Sequence, residues 1–156
     1  RHKEHAGTLT IEPFTSIARA AGFNVLDVSS RLFNAYQVGV VAAPVSQAHA
    51  NADAIRGYIH GYLRGLAWTL DPQNREAGAS LLLANMPAIK PGVVAAVMDS
   101  LLSPISGLTP RGAILRDGMK TVLELRSLYS QPKKVLTDVD KYLDLSFYEE
   151  VMAARA

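Results

Sequence analysis

Few residues in this chain have the types and spacing that chemistry requires. There is no cysteine among its 156 residues, which removes thiol nucleophiles, thiolate metal ligands and disulfides together. Four histidines remain: His2, His5, His49 and His60. His2 and His5 are spaced to share a metal ion on a helix, but no third ligand accompanies them, and a solvated terminus is the better explanation. His60 lies four residues after Arg56 and four before Arg64, so the three form a basic stripe on one helix face, open to an anion or simply to water. Asp138, Asp140 and Asp144 cluster, but without the spacing or the glycine turn of a calcium loop; capping and solvation account for them. No Gly-x-Ser-x-Gly elbow occurs, and Gly107, Gly112 and Gly118 match no phosphate-cradling loop. Catalytic residues, metal ligands and cofactors are therefore not expected.

Glu12 stands apart. It closes the run Thr8-Leu9-Thr10-Ile11 and precedes Pro13. A carboxylate at the carboxyl end of a strand sits where open α/β sheets bind ligands, and it would accept hydrogen bonds from an amine or hydroxyl. The competing explanation is an acid placed near a helix N-terminus, where the macrodipole favours negative charge. Both readings remain open at the level of the residues.

These residues need elements to position them. The first part of the chain, to about Val45, has strand–helix–strand texture. Thr8–Ile11, Phe23–Val28 and Tyr36–Ala42 read as short strands rich in β-branched or aromatic residues. Between the first two lies a short helix from Phe14 to Ala21, with Gly22 at its C-cap. The rest reads as helical. Asn51 is placed to cap a helix from Ala52 to Leu70, whose apolar stripe is Ile55, Ile59, Tyr62, Leu63, Leu66 and Leu70. Asp71-Pro72 starts a second helix to Asn85, and Pro91 a third to about Leu102. Thr109-Pro110 starts a fourth to about Tyr129, and the capping box Ser146-Phe147-Tyr148-Glu149 a last one to Arg155. Gly57, Gly61 and Gly65 recur every four residues on one helix, each costing about 1 kcal/mol of propensity relative to Ala. Close approach of another backbone is the expected compensation.

Composition narrows the class further. The chain is 49% hydrophobic and 19% charged, against about 25% charged in an average soluble domain. Disorder is excluded by this apolar content and a net charge of only +2. The basic clusters, Arg1-His2-Lys3 and Lys133-Lys134, are too small for a dedicated nucleic-acid surface. The longest apolar run, Val38 to Val45, is far below the ~18 residues that span a bilayer.

The order of segments resembles the periplasmic substrate-binding proteins of ABC importers, of the nitrate/sulfonate/taurine and thiamine-pyrimidine type. The resemblance runs from Ala6-Gly7-Thr8-Leu9-Thr10-Ile11-Glu12-Pro13 and Ala21-Gly22-Phe23-Asn24-Val25-Leu26 through Tyr36-Gln37-Val38-Gly39-Val40-Val41. It continues in Asn51-Ala52-Asp53-Ala54-Ile55-Arg56-Gly57-Tyr58 and Trp68-Thr69-Leu70-Asp71-Pro72-Gln73-Asn74-Arg75-Glu76. It ends in the tail from Val139 to Glu150.

The resemblance implies a helix-rich α/β chain forming the C-terminal half of a bilobal, type II periplasmic-binding-protein-like fold. Residues 1–35 would be a strand–helix–strand remnant of the second lobe, and residues 36–156 a crossing strand and the helical C-terminal part of the first. The implied function is capture of a small polar or anionic molecule, a sulfonate, nitrate, taurine or pyrimidine-like compound, for import through a membrane permease. Thr10, Glu12 and Phe14 would face the ligand, and Tyr36 and Gln37 would line the cleft or hinge. The implied location is periplasmic, or extracytoplasmic on a lipid anchor. No bond is broken, so an enzyme is not expected. The alternatives are an enzyme of thiamine-pyrimidine biosynthesis on the same scaffold and the effector-binding lobe of a regulator. Isolated, such a half would expose apolar surface, so a homodimer or pairing with the N-terminal half is expected.

Overall fold

The structure, a computed structural model, describes residues 6–155. His2 and His5, considered above as metal ligands, lie outside them. Eight α-helices follow in chain order: α1 (Phe14–Ala20), α2 (Ser29–Leu32), α3 (Val45–Ala50), α4 (Ala52–Leu70), α5 (Arg75–Asn85), α6 (Pro91–Leu101), α7 (Arg116–Tyr129) and α8 (Ser146–Ala153). Short 3-10 turns occupy Pro72–Asn74, Pro110–Gly112 and Asp140–Tyr142. No described helix is long and apolar enough to cross a membrane.

The helix-rich part of the expectation holds, and the sheet does not: among the described residues there is no strand. Thr8–Ile11, Phe23–Val28 and Tyr36–Ala42 are irregular chain, with Leu9 fully exposed and Leu26 90% exposed. Strand propensity measures how well side chains fit a pleated, half-buried surface, and it produces a strand only where a neighbour completes the ladder. None of the described segments supplies that neighbour.

The chain forms two compact units. One comprises the residues up to Val28 together with Thr69–Leu108; the other comprises Ser29–Trp68 and Thr109 onward. In the first unit α6 packs against both α1 and α5. Its buried apolar residues are Ile89, Val97 and Met98, and Gly78 of α5 lets the Met98 methyl come within 3.3 Å of where a Cβ would stand. In the second unit the core is Leu63 and Leu66 of α4, Leu123 of α7, Val139, and Phe147 and Val151 of α8.

The helix boundaries follow the sequence signals with instructive exceptions. Helix α4 spans the expected residues, and Leu63 and Leu66 of its apolar stripe are its buried positions. Asp71 accepts a hydrogen bond from the Gln73 amide at 2.9 Å, the cap its position ahead of Pro72 foretold. Helix α7 starts six residues after Pro110, because the chain turns left-handed at Arg111 (φ 62°) and Gly112 (φ 60°). The tip of α8 is held differently from a capping box. Asp144, not Ser146, is the acceptor, taking the Ser146 amide at 3.0 Å and the Ser146 hydroxyl at 2.6 Å.

Candidate functional site

In the first unit the Glu12 carboxylate bridges two helices. One oxygen accepts from the Ser16 amide of α1 at 3.3 Å, and the other from the Ser100 hydroxyl of α6 at 3.1 Å. The first contact satisfies one of the orphan N–H groups of α1, so the helix-terminus explanation of Glu12 is realised. The second couples the end of α6 to it. Ser16 is itself buried, at 4% exposure.

Ser16 and Ser100 face a shallow, open hollow of about 350 Å³, lined also by Arg19, Ala96, Asp99, Ser103 and Ser106. The sequence builds this hollow from the way α6 ends. Ser103 is a local hub: its hydroxyl oxygen accepts from the amides of Ile105 and Ser106 and from the Ser106 hydroxyl, each at 3.3 Å. Serine hydroxyls folding back on their own backbone in this way favour a turn over continued helix. Gly107 then closes the loop, its amide donating to the Ser103 carbonyl at 2.9 Å. A Cβ on Gly107 would overlap the backbone of Leu101 and Ser103, so only glycine fits. Asp99 is held at the hollow's edge by Arg75, 2.6 Å away.

The other expected ligand-side residues are placed differently. Thr10 and Phe14 flank Glu12 but are exposed; the Thr10 hydroxyl meets only its neighbour's carbonyl, and Phe14 is 54% exposed. Neither lines the hollow. Tyr36 and Gln37 belong to the second unit. Tyr36 stacks on Phe33 at 5.4 Å. Gln37 caps α7: its side-chain oxygen accepts from the Leu115 amide at 2.9 Å, and its nitrogen donates to the Gly39 carbonyl at 2.7 Å. With both ends of its amide engaged, Gln37 holds structure. The lining residues Arg19, Asp99, Ser103 and Ser106 were not singled out in the sequence, where isolated serines in a loop carry no motif.

In the second unit the basic stripe is divided. Arg56 turns away to Glu150 at 2.6 Å and Asp53 at 3.0 Å and lies over the Phe147 ring. The hydrogen bond to Glu150 is the main cause that raises its pKa further above the ordinary arginine value. Arg64 lines an open groove of about 600 Å³ with Gly61, Gly65, Ala67, Trp68 and Arg155. The expected close backbone is missing among the described residues: none of them lies within 4 Å of a Cβ placed on Gly57, Gly61 or Gly65. The aspartates act as caps and ion-pair partners. Asp138 accepts the Asp140 amide at 3.0 Å, Asp140 pairs with Arg116, and hydrogen bonds from Ser146 hold Asp144 below the usual carboxylate range. Among the described residues no group of three acidic or histidine side chains is disposed to hold a metal ion.

The serine-lined hollow thus has the makings of a polar binding site: hydroxyls, one guanidinium, one carboxylate, and a part-buried carboxylate behind them. Against family models, curated proteins and solved structures, the chain has no match.

Proposed function

We propose that this chain is the solute-binding component of an ABC importer, forming the C-terminal half of a bilobal, type II periplasmic-binding-protein-like fold. It works outside the cytoplasmic membrane, periplasmic or lipid-anchored, and its partner is a membrane permease. The observation that carries this reading is the serine-lined hollow beside Glu12, the carboxylate that the resemblance to binding proteins puts on the ligand side.

One further feature supports it. The strand-like segments leave Leu9, Leu26, Val38 and Val41 exposed, as expected of strands whose sheet neighbours come from another half. The mechanism is capture. Hydroxyls and charged groups fix a small polar molecule, and closure follows by as much as the molecule prefers the closed state. No covalent step is required.

The test is a thermal melt of the whole chain against sulfonates, nitrate, pyrimidines, aromatic acids and amines, since a ligand specific to the folded state raises the melting temperature. At least one solute is expected to stabilise the chain saturably, and Glu12→Ala to weaken that solute's binding. Unchanged affinity in Glu12→Ala would move the site elsewhere. No stabilising solute would remove the function.

A further inference from the structure

The proton inventory of the hollow restricts what it binds. The Ser100 hydroxyl donates to Glu12 at 3.1 Å, and a carboxylate cannot return a proton, so Ser100 has only lone pairs left to offer. The Ser106 and Ser103 hydroxyls lie 3.3 Å apart, and Ser103 already accepts from two amides, so one of the two hydroxyl protons is spent between them while Ser106 still has a lone pair to offer. Asp99 is an acceptor throughout; one of its oxygens takes Arg75, leaving the other for a ligand. Asp99 and Ser100 thus offer acceptors to a space whose donors are the Ser16 hydroxyl, the Ser103–Ser106 hydroxyl pair and Arg19; Arg19 and Asp99 are both exposed, where water and salt screen their charges.

The backbone favours positive charge at Asp99 and Ser100. Asp99 and Ser100 lie in the last turn of α6, the negative end of its dipole, which favours a cation. Behind Ser100 the Glu12 carboxylate is part-buried and, among the described residues, hydrogen-bonded only to neutral donors, the Ser16 amide and the Ser100 hydroxyl. A positive group seated against Ser100 would be stabilised by that carboxylate through the polarised hydroxyl.

We infer that the hollow takes a small solute through an ammonium group, held by Asp99, Ser100 and Ser106, rather than through an anionic group. This rests on the solute-binding reading above and departs from the anionic sulfonate and nitrate ligands implied by the sequence resemblance.

Three two-carbon probes of similar size separate the possibilities: ethanolammonium chloride, neutral ethylene glycol and sodium isethionate. Each is titrated into the 15N-labelled whole chain at constant ionic strength while amide shifts are followed. Ethanolammonium is expected to shift the Ser100, Ser103 and Ser106 amides saturably, at least about tenfold more tightly than either other probe. Asp99→Asn is expected to weaken it about three- to tenfold while leaving the fold intact, because the Arg75 pair it breaks is an exposed one of little stability. Isethionate binding as tightly as ethanolammonium would overturn the ammonium assignment and leave the solute-binding reading standing. Equal binding of all three probes, or an Asp99→Asn variant with unchanged affinity, would also overturn it. No shift in the hollow with any probe would remove both.

Discussion

Replacing Gly57, Gly61 and Gly65 together by alanine tests the most distinctive feature of α4. A glycine inside a helix costs about 0.8–1.0 kcal/mol relative to alanine, mostly in backbone entropy. Alanine recovers that amount wherever its methyl finds room. All three sites are exposed, and none of the described residues lies within 4 Å of the added Cβ at any of them. The triple variant is therefore expected to gain about 2.5–3 kcal/mol. Trp68, the chain's one tryptophan, lies on the same helix, so urea unfolding followed by its fluorescence reports the unit that carries the change. With an m-value of about 2 kcal/mol/M, the midpoint should rise by about 1 M or more. An unchanged or lower midpoint would refute the reasoning. It would mean that a second backbone occupies the ridge in solution, as the glycine spacing first suggested, and sedimentation would then show an assembly that the variant dissolves.

Other substitutions act in the opposite direction. Gly118→Ala should destabilise the second unit by about 1–2 kcal/mol, since its Cβ would stand 2.7 Å from the Gln37 nitrogen and 3.0 Å from the Tyr36 carbonyl carbon, and overpacking outweighs the propensity gain. A urea midpoint at or above that of the parent would contradict this. Gln37→Ala should cost about 1 kcal/mol by uncapping α7 and leave solute affinity unchanged, which a paired melt and titration would check. The Asp144 carboxyl is depressed by hydrogen bonds from the Ser146 hydroxyl and amide. Its contribution to α8 is present above the unfolded carboxylate pKa and is lost as pH falls through the depressed folded value. Hydrogen-exchange protection at the start of α8, corrected for the intrinsic rate at each pH, should fall over that acid range in the parent and much less in Asp144→Asn, and parallel profiles in the two would contradict the assignment.

Helices were legible where apolar spacing and punctuation agreed. The stripe through Leu63 and Leu66 marked α4, and Asp71-Pro72 marked the turn before α5, whereas Asn51 precedes α4 with its side chain donating back to the Gln47 carbonyl of α3 at 2.9 Å instead of capping α4. The boundary of α7 was not legible, because Arg111 adopts a left-handed conformation that no local signal reserves for arginine. Its carbonyl accepts the Tyr148 hydroxyl at 3.0 Å, a partner 37 positions away. The irregular segments before Val45 carried strand propensity without a ladder, since pairing is a non-local property. At the candidate site, Glu12 was visible as a carboxylate beside a helix start, whereas its second partner, Ser100, is 88 positions distant. The contact of Gln37 with the Leu115 amide, 78 positions away, is illegible in the sequence for the same reason.

The central claim is that the hollow at the end of α6 holds a small solute using residues of one unit alone. Amide shifts of the 15N-labelled chain, recorded with whichever solute stabilises it most, test this directly. The account predicts saturable shifts concentrated at Ser16, Arg19, Asp99, Ser100, Ser103 and Ser106, abolished together by Ser100→Ala. Shifts concentrated instead along the Gly61–Trp68 groove, or at Tyr36 and Gln37, would contradict it.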